Sequence, residues 1–339
     1  MIIWYDITNS PQVHFLLAIK NSLGGKYHHD YIITTREFAE TTYLLRQKKE
    51  NNFTIIGTHY GRVKKDKIKG LISRFFAIYK NVSAYDISIS CGSEEAIWNS
   101  FLKGRKSIAF GDNDLAKQWT YGRFVNYVFF PSAIDKKILI KQGINEKKLY
   151  QYNGYKEDIY LADYIPDYGF FDYLPFKNYV LVRPENIEAN YIGNIPVHTI
   201  TPFLLKELSK SGYNILYLPR YKTDKEYAKG IDNVYIPEEP VNGLDACYFA
   251  DAVLTGAGTF AREAACLGVP SFSFFAGKQL LSVDKALIKE KKMFWSRDVG
   301  ELIEALKKSE KRNVDLTHSK NVQEEVISKL LEVIKNWTI

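Results

Sequence analysis

Long apolar runs are missing from this chain of 339 residues. No stretch approaches the roughly 20 uninterrupted apolar residues that a membrane-spanning helix needs. Cysteine is scarce. Cys91, Cys247 and Cys266 stand far apart, which excludes a disulfide framework and the close spacing of zinc ligands. Their neighbours are apolar, and buried, reduced thiols point to the cytoplasm. The opening MIIWYDITNS has no basic residue ahead of its apolar run and soon turns polar. It therefore reads as a first strand and not as a secretory signal. Low-complexity tracts and solenoid repeats are absent too. So are two phosphate fingerprints: no Gly-rich loop ends in Lys-Ser/Thr, and no GxGxxG follows the first strand. P-loop hydrolysis of ATP and simple dinucleotide binding are disfavoured accordingly.

What is present is an ordinary soluble composition, 46% hydrophobic and 25% charged, with 24 Tyr and 20 Phe. The length allows two domains, each with its own core. A net charge of +7 favours anionic partners such as phosphates, nucleotides or acidic lipid surfaces. Nucleic acid is not among the partners expected.

Strand-like and helix-like segments alternate along both halves. Strands are expected at 2–5, 31–34, 53–56, 86–90, 107–110 and 127–130, with helices between them. The rhythm breaks near Gly154 and resumes at Tyr179, with strands at 179–182, 214–218, 234–236 and 252–254 and a helix over 201–210. Alternation of this kind predicts parallel sheets covered on both faces. The expected organisation is a first Rossmann-like domain over 1–155, a connection over 156–177, a second over 178–320 and a terminal helix over 321–339. The fold class is α/β, two doubly wound domains facing a cleft. In such sheets ligands bind outside the carboxyl ends of the strands.

The most informative segment is ADAVLTGAGTFAREAACLGVPSFSF, which begins at Ala250. A buried strand stops at Gly256-Ala257-Gly258-Thr259, and a helix pattern begins at once. Glycines allow a ligand close to the backbone, and the amides of a first helical turn suit an anion, best a diphosphate. Glu263 lies one turn further in, placed to accept hydrogen bonds from sugar hydroxyls. Packing alone also produces short Gly-rich turns, so spacing by itself leaves both readings open. Arg183 and Arg220 end two other strands and suit bidentate phosphate recognition, and Arg262 either joins them or pairs with an acid on the surface.

Polar residues also gather behind first-half strands. In DITNSPQVH, Asn9 and Ser10 precede a helix, and His14 stands in its first turn. A histidine near its normal pKa accepts a proton at neutral pH, although His14 also reads as a capping residue. Asp6 is either a base or an acceptor for its own loop's amides. Gly92-Ser93-Glu94 combines a glycine, a natural N-cap and an acid suited to the first turn's dipole. Asp112 and Asp114 lie close together without a third ligand, so hydrogen bonding in the loop or contact with an acceptor is expected there. No metal or other cofactor is expected. Finally, residues 62–80 combine helically spaced Ile68, Leu71, Ile72, Phe75, Ile78 and Tyr79 with many Lys and Arg. Such a helix either lies at an anionic membrane surface or packs on the sheet with a solvated basic face.

DITNSPQVHF, SCGSEEA, YNGYKE, LVRPE, YLPRY, GAGTFAREAACLGVP and SVDKALI together resemble an uncharacterised archaeal and bacterial family of predicted glycosyltransferases with the GT-B fold. The second half is more remotely similar to UDP-N-acetylglucosamine 2-epimerases and to the transferase that adds N-acetylglucosamine to the lipid-linked peptidoglycan precursor. The resemblance implies Gly256, Gly258 and Thr259 at the diphosphate, Glu263 at the ribose, and the first loop with His14 toward the acceptor. The first loop departs from the peptidoglycan enzyme in lacking its glycines. The implied activity is metal-independent transfer of a sugar from a nucleotide-diphosphate donor, a UDP-sugar foremost, to a glycan or lipid-linked acceptor. It would act in the cytoplasm or at the inner membrane face. An epimerase on the same scaffold, or a non-catalytic sugar-nucleotide-binding subunit docked at the membrane, are the alternatives.

Overall fold

The computed structural model describes residues 1–37, 41–58, 64–185, 198–311 and 313–338. The chain forms two compact units. In the first, β1 (Ile2–Ile7), α1 (Pro11–Lys26), β2 (Asp30–Glu37), α2 (Thr41–Gln47) and β3 (Thr54–Thr58) alternate as expected. They are followed by α3 (Lys64–Asn81), β4 (Ile87–Ser90), α4 (Glu94–Leu102), β5 (Lys106–Phe110) and β6 (Tyr127–Pro131). Then come α5 (Lys136–Lys141), β7 (Leu149–Tyr152) and α6 (Lys156–Leu161). The seven strands are ordered β3-β2-β1-β4-β5-β6-β7, and their pairings are parallel. Ile3, Trp4, Tyr5 and Ile7 of the inner strand β1 are buried. A strand covered on both faces reads as a continuous apolar run, not as an alternation.

The second unit repeats the plan with β8 (Val180–Arg183), α7 (Thr201–Lys210), β9 (Ile215–Tyr217), β10 (Val234–Tyr235), α8 (Gly243–Phe249) and β11 (Ala252–Thr255). It continues through α9 (Gly258–Leu267), β12 (Ser271–Ser273), α10 (Ser282–Lys289), β13 (Met293–Trp295) and α11 (Val299–Lys307). The six parallel strands run β10-β9-β8-β11-β12-β13. Val180, Val182, Leu254 and Phe272 of the sheet pack with Leu204 and Leu208 of α7 and Leu302 of α11 in one core.

The last helix, α12 (Thr317–Thr338), belongs with the first unit. Ser319 Oγ donates to Asp158 at 2.7 Å and the Tyr150 hydroxyl to Glu325 at 2.8 Å. Gly154 lies so close that a Cβ there would meet Val322 at 2.4 Å. The segment expected as a connection, 156–177, is divided between the units, which part after Ala162. Residues 156–161 are the buried helix α6, whereas Phe170 stacks on Phe249 of α8.

A buried polar cluster ties the first unit together. Asp6 and Arg74 are almost wholly shielded from water, with 0% and 1% exposure. Arg74 donates to both carboxylate oxygens at 2.6 and 3.0 Å, and its Nε donates to the Ile56 carbonyl at 2.9 Å. Thr34 and Ser93 hydroxyls donate to Asp6 at 2.6 and 2.5 Å, and Glu95 lies 3.5 Å from Arg74. Strands β1 to β3 and helices α3 and α4 thus meet at one carboxylate. Two expectations change here. Asp6 is not a free base: burial alone would raise its pKa, but Arg74 and the hydroxyls hold it below the usual carboxylate range. Arg74, expected on a basic surface, points inward beside Gly70 and Ile78, one turn away on either side and both buried. Replacing Asp6 with Ala leaves the guanidinium buried without its counter-charge, and a loss of about 3–5 kcal/mol is expected. Urea unfolding measures it; a loss under about 1 kcal/mol would refute the bridge as a structural tie.

Candidate functional site

Both sheets reverse their winding beside their first strand, between β1 and β4 and between β8 and β11. At such a switch point successive connections leave in opposite directions, and the strand ends flank a crevice suited to a ligand. The expected site residues sit on the strand ends, on the loops there or nearby, and on the helices that follow them, His14 on α1 and Thr259, Arg262 and Glu263 on α9.

In the second unit, the β11 loop runs straight into α9. The Gly256 amide donates to the Arg183 carbonyl at 3.0 Å, closing the two strand ends on each other. A Cβ at Gly256 would stand 2.4 Å from Glu185, so this glycine serves close packing. The Ala257 amide donates to Thr255 Oγ1 at 2.9 Å, and Ala257 brings no capping side chain. Helix geometry leaves the amides of Gly258, Thr259 and Phe260 without intrahelical acceptors, since the first such bond runs from Ala261 to Ala257. A Cβ at Gly258 would approach only the Arg262 side chain, at 3.1 Å. Gly258 is thus less crowded than Gly256, its nearest neighbour being the end of one flexible side chain. The amides carry the positive end of the helix dipole.

The flanking residues divide into presented and inward ones. Arg183 is partly exposed, its guanidinium 4.6 Å from the Phe260 ring centre. Arg220 follows β9, with its own amide and that of Tyr221 fixed on Asp224 at 3.0 and 2.9 Å. Its Nε is buried without a hydrogen-bond partner among the described residues. Parallel strands β9, β8 and β11 are neighbours about 4.8 Å apart, so Arg220, Arg183 and Gly258 leave one edge of one sheet. Arg262 pairs with an acid, but in the interior and not at the surface as expected: it is buried and lies 3.1 Å from Asp284 of α10, itself buried. Glu263 is buried as well, on the side of α9 near Cys247. Only the opening turn, 258–260, is partly exposed before the helix turns inward.

Glu185 is a residue that sequence reasoning left without a role. It accepts hydrogen bonds from Thr199 and Thr201 hydroxyls at 2.7 and 2.8 Å and from the Ile200 amide at 3.1 Å, and it pairs with Arg297 at 3.2 Å. It supplies the start of α7 with the acceptor that Ile200, its N-cap, lacks.

In the first unit the switch-point loop is held by its own chain. Gln12 accepts from the amide and hydroxyl of Thr8 at 2.8 and 3.1 Å, and Arg36 donates to the Thr8 carbonyl at 2.6 Å. Ser10 lies 3.4 Å from the Thr41 hydroxyl. Asn9 Oδ1 is buried with no partner among the described residues. Ser93 caps α4 by accepting from the Ala96 amide at 3.3 Å, and it donates to Asp6, so capping and the ion cluster absorb it. Gly92 adopts a φ of +73° against the Tyr121 ring. Burial raises the pKa of Glu94. Asp112 pairs with Lys156 at 2.6 Å, a partner the sequence reading did not foresee.

His14 does not keep the normal pKa expected of it. Burial, and then the charge of Lys48, lower it to about 4. Its ring stacks on Tyr160, with centroids 6.0 Å apart. The imidazole is thus neutral at pH 7. Because the folded pKa lies below the unfolded value of about 6.5, the unfolded chain binds the proton first. This contribution to stability is complete above pH 6.5 and declines as pH falls toward 4. Urea unfolding at stepped pH should show an extra loss of up to about 1.4 kcal/mol per pH unit in that window. His14→Phe, which keeps a stacking ring, should remove it. An identical slope in both proteins would assign the dependence elsewhere.

The chain matches the family described as "Protein of unknown function (DUF354)" over residues 1–337. It is 26% identical to the uncharacterized protein MJ0665 of Methanocaldococcus jannaschii, with 89% of each chain covered. Among solved structures it superposes on UDP-N-acetylglucosamine 2-epimerase from Rickettsia bellii with a TM-score of 0.74 at 13% identity, covering 99% of this chain and 96% of that one. The corresponding epimerase of M. jannaschii gives 0.70 at 14%, covering 98% and 100%. The glycotransferase of kitacinnamycin gives 0.63 at 10%, covering 99% and 98%. At these identities the likeness is one of fold, two Rossmann-like units of the GT-B type. With the family match spanning nearly the whole sequence, the chain belongs to the DUF354 family.

Proposed function

We propose that this protein is a glycosyltransferase that takes its sugar from a nucleoside-diphosphate donor bound in the second unit. The observation that carries the reading is the opening of α9 at the β8/β11 switch point. Three amides there lack intrahelical acceptors, Gly258 puts no side chain before them, and Arg183 and Arg220 leave strands on the same edge. Diphosphate is the anion that this combination of amides and guanidinium groups suits best. Solved structures of this fold include epimerases bound to UDP-N-acetylglucosamine and to UDP, which favours uridine as the base. Glu263, one turn further along, is the proposed ribose acceptor.

Charge gathering on the departing diphosphate is met by the amides and arginines. The reading therefore calls for no metal, and turnover in EDTA is expected to be undiminished. The acceptor is a hydroxyl of a glycan or of a lipid-linked saccharide, as in the making of cell-surface polysaccharide or glycoconjugates. His14 is the proposed proton acceptor, since Asp6 is consumed by Arg74 while the His14 imidazole is neutral.

Calorimetric titration with UDP tests the donor site. Arg220→Ala is expected to weaken binding by about 1.5–3 kcal/mol and Glu263→Ala by about 1–3 kcal/mol. Affinities unchanged in both variants would remove the site. Incubation with labelled UDP-sugars tests the reaction: nucleotide release that needs an added saccharide acceptor supports transfer. Isomerised sugar without an acceptor would mean an epimerase, and binding without turnover a carrier. His14→Ala should keep UDP affinity and abolish turnover; undiminished turnover excludes it as the base.

A further inference from the structure

Helix α3 has already met its folding requirement. Its inward face buries Arg74 and Ile78 and sets Phe75 against Trp98 of α4, with ring centres 6.4 Å apart. Yet Ile68, Ile72 and Phe76, spaced four residues apart along another face, remain 58%, 49% and 63% exposed. The apolar surface does not stop with that helix. Phe101 and Leu102 at the end of α4 and Trp119 in the segment before β6 are also more than half exposed. Phe101 lies edge-on to Phe124 at 5.0 Å, joining the two segments. Between α3, α4 and the 119–124 segment runs an open groove of about 650 Å³. Ile68, Leu71, Trp98, Trp119 and Phe124 line it, with Lys67, Arg123 and one acid, Glu94.

Contiguous apolar surface of this kind on a soluble fold marks a docking face, and its charges indicate the occupant. Lys65, Lys69 and Lys80 of α3, Arg105 just after α4, and Lys117 and Arg123 of the 115–124 segment are exposed, against exposed Asp66 and Asp86. Asp86 is itself within 3.8 Å of Arg105. Among the described residues no helix is long and apolar enough to cross a membrane. An apolar stripe beside lysines, with Trp119 and Tyr79 of headgroup-seeking type at its margins, is the pattern of an interfacial helix. We propose that the face built from α3, the end of α4 and the 115–124 segment seats the protein on an anionic phospholipid bilayer. The inference is independent of the sugar chemistry proposed for the second unit, because it concerns lipid binding without turnover.

The test is sedimentation of the full chain with vesicles of phosphatidylcholine, alone or with about one-third phosphatidylglycerol. Binding at least about tenfold tighter to the anionic vesicles is expected, weakening as salt rises. Ile72→Glu with Phe76→Glu should lower that binding by about tenfold or more, and Lys65→Glu with Lys69→Glu should abolish the anionic preference. Thermal unfolding checks that the variants fold. Should the apolar pair lower the midpoint, quenching by brominated lipid that disappears in Trp119→Phe decides the matter in an otherwise native chain. No affinity for anionic vesicles, equal affinity for neutral ones, or undiminished binding by the Ile72/Phe76 variant would overturn the proposal. So would an equilibrium dimer of the native chain that the same variant dissociates, since the face would then join two copies.

Discussion

The ion pair between Asp6 and Arg74 is the constraint on which the first unit turns. Neither partner can be removed alone, because an isolated charge in that interior costs several kcal/mol that only its counter-ion offsets. A single carboxylate on β1 thereby fixes where α3 and α4 lie, through Arg74 and Ser93, and orders β2 through Thr34. Thr34 Oγ1 also accepts from Trp4 Nε1 at 2.7 Å, so the cluster extends back into the sheet. Such satisfied polar networks select one arrangement of their elements, since any other leaves a buried group unpaired. The net stabilisation over an apolar substitute is small by comparison.

The same topology is put to different uses in the two units. Behind β1 the crevice is occupied by the chain's own groups: Gln12 takes the Thr8 donors, Arg36 the Thr8 carbonyl, and Ser93 and Arg74 take Asp6. Behind β11 the chain supplies less. Thr255 satisfies one amide, Ala257 provides no cap, and Gly258 adds no side chain. Some helix starts elsewhere in the chain are better furnished: Ser93, Asp135, Asn242 and Asp298 each accept an amide from the turn they cap, whereas Ser10, Ile200 and Leu281 cap without a side-chain bond, as Ala257 does. What sets α9 apart is the combination of an uncapped start with two arginines leaving the neighbouring strands at the same sheet edge, which a bare glycine spacing does not supply.

Much of this architecture is legible in the amino-acid sequence. Helix 201–210 and the strand before Gly256 follow directly from apolar period and glycine punctuation. Strands β7 and β13 were not anticipated. Leu149–Tyr152 and Met293–Trp295 are short edge strands whose residues show neither a long apolar run nor clean alternation. Partners distant in sequence were also hidden. Nothing near Asp6 announces Arg74, 68 positions on, and nothing near Asp112 announces Lys156. One signal did exist. Arg74 falls one turn from Gly70 and from Ile78, on the face that the apolar period turns inward, and an arginine at such a position demands a buried acid. Similarly, the pKa of His14 is a property of what surrounds α1, Tyr160 and Lys48 included, and no local pattern carries it.

Helix α3 shows why a helical period alone underdetermines function. A core-packing helix needs one apolar stripe. Here two rows share the period: an inward one through Gly70, Arg74 and Ile78 that carries a charge, and an outward apolar one through Ile68, Ile72 and Phe76. Read as a single amphipathic pattern, the basic residues form one class. In the fold they form two, since Arg74 is the counter-ion of Asp6 while Lys65 and Lys69 remain in water. Burying a guanidinium inside spends the interior on a charge, and leaving isoleucine and phenylalanine outside spends the surface on apolar area. Neither arrangement follows from helix formation, so each needs its own partner. The first has one in Asp6. The second has none among the described residues, and its apolar area with flanking cations matches what a lipid surface of opposite charge supplies.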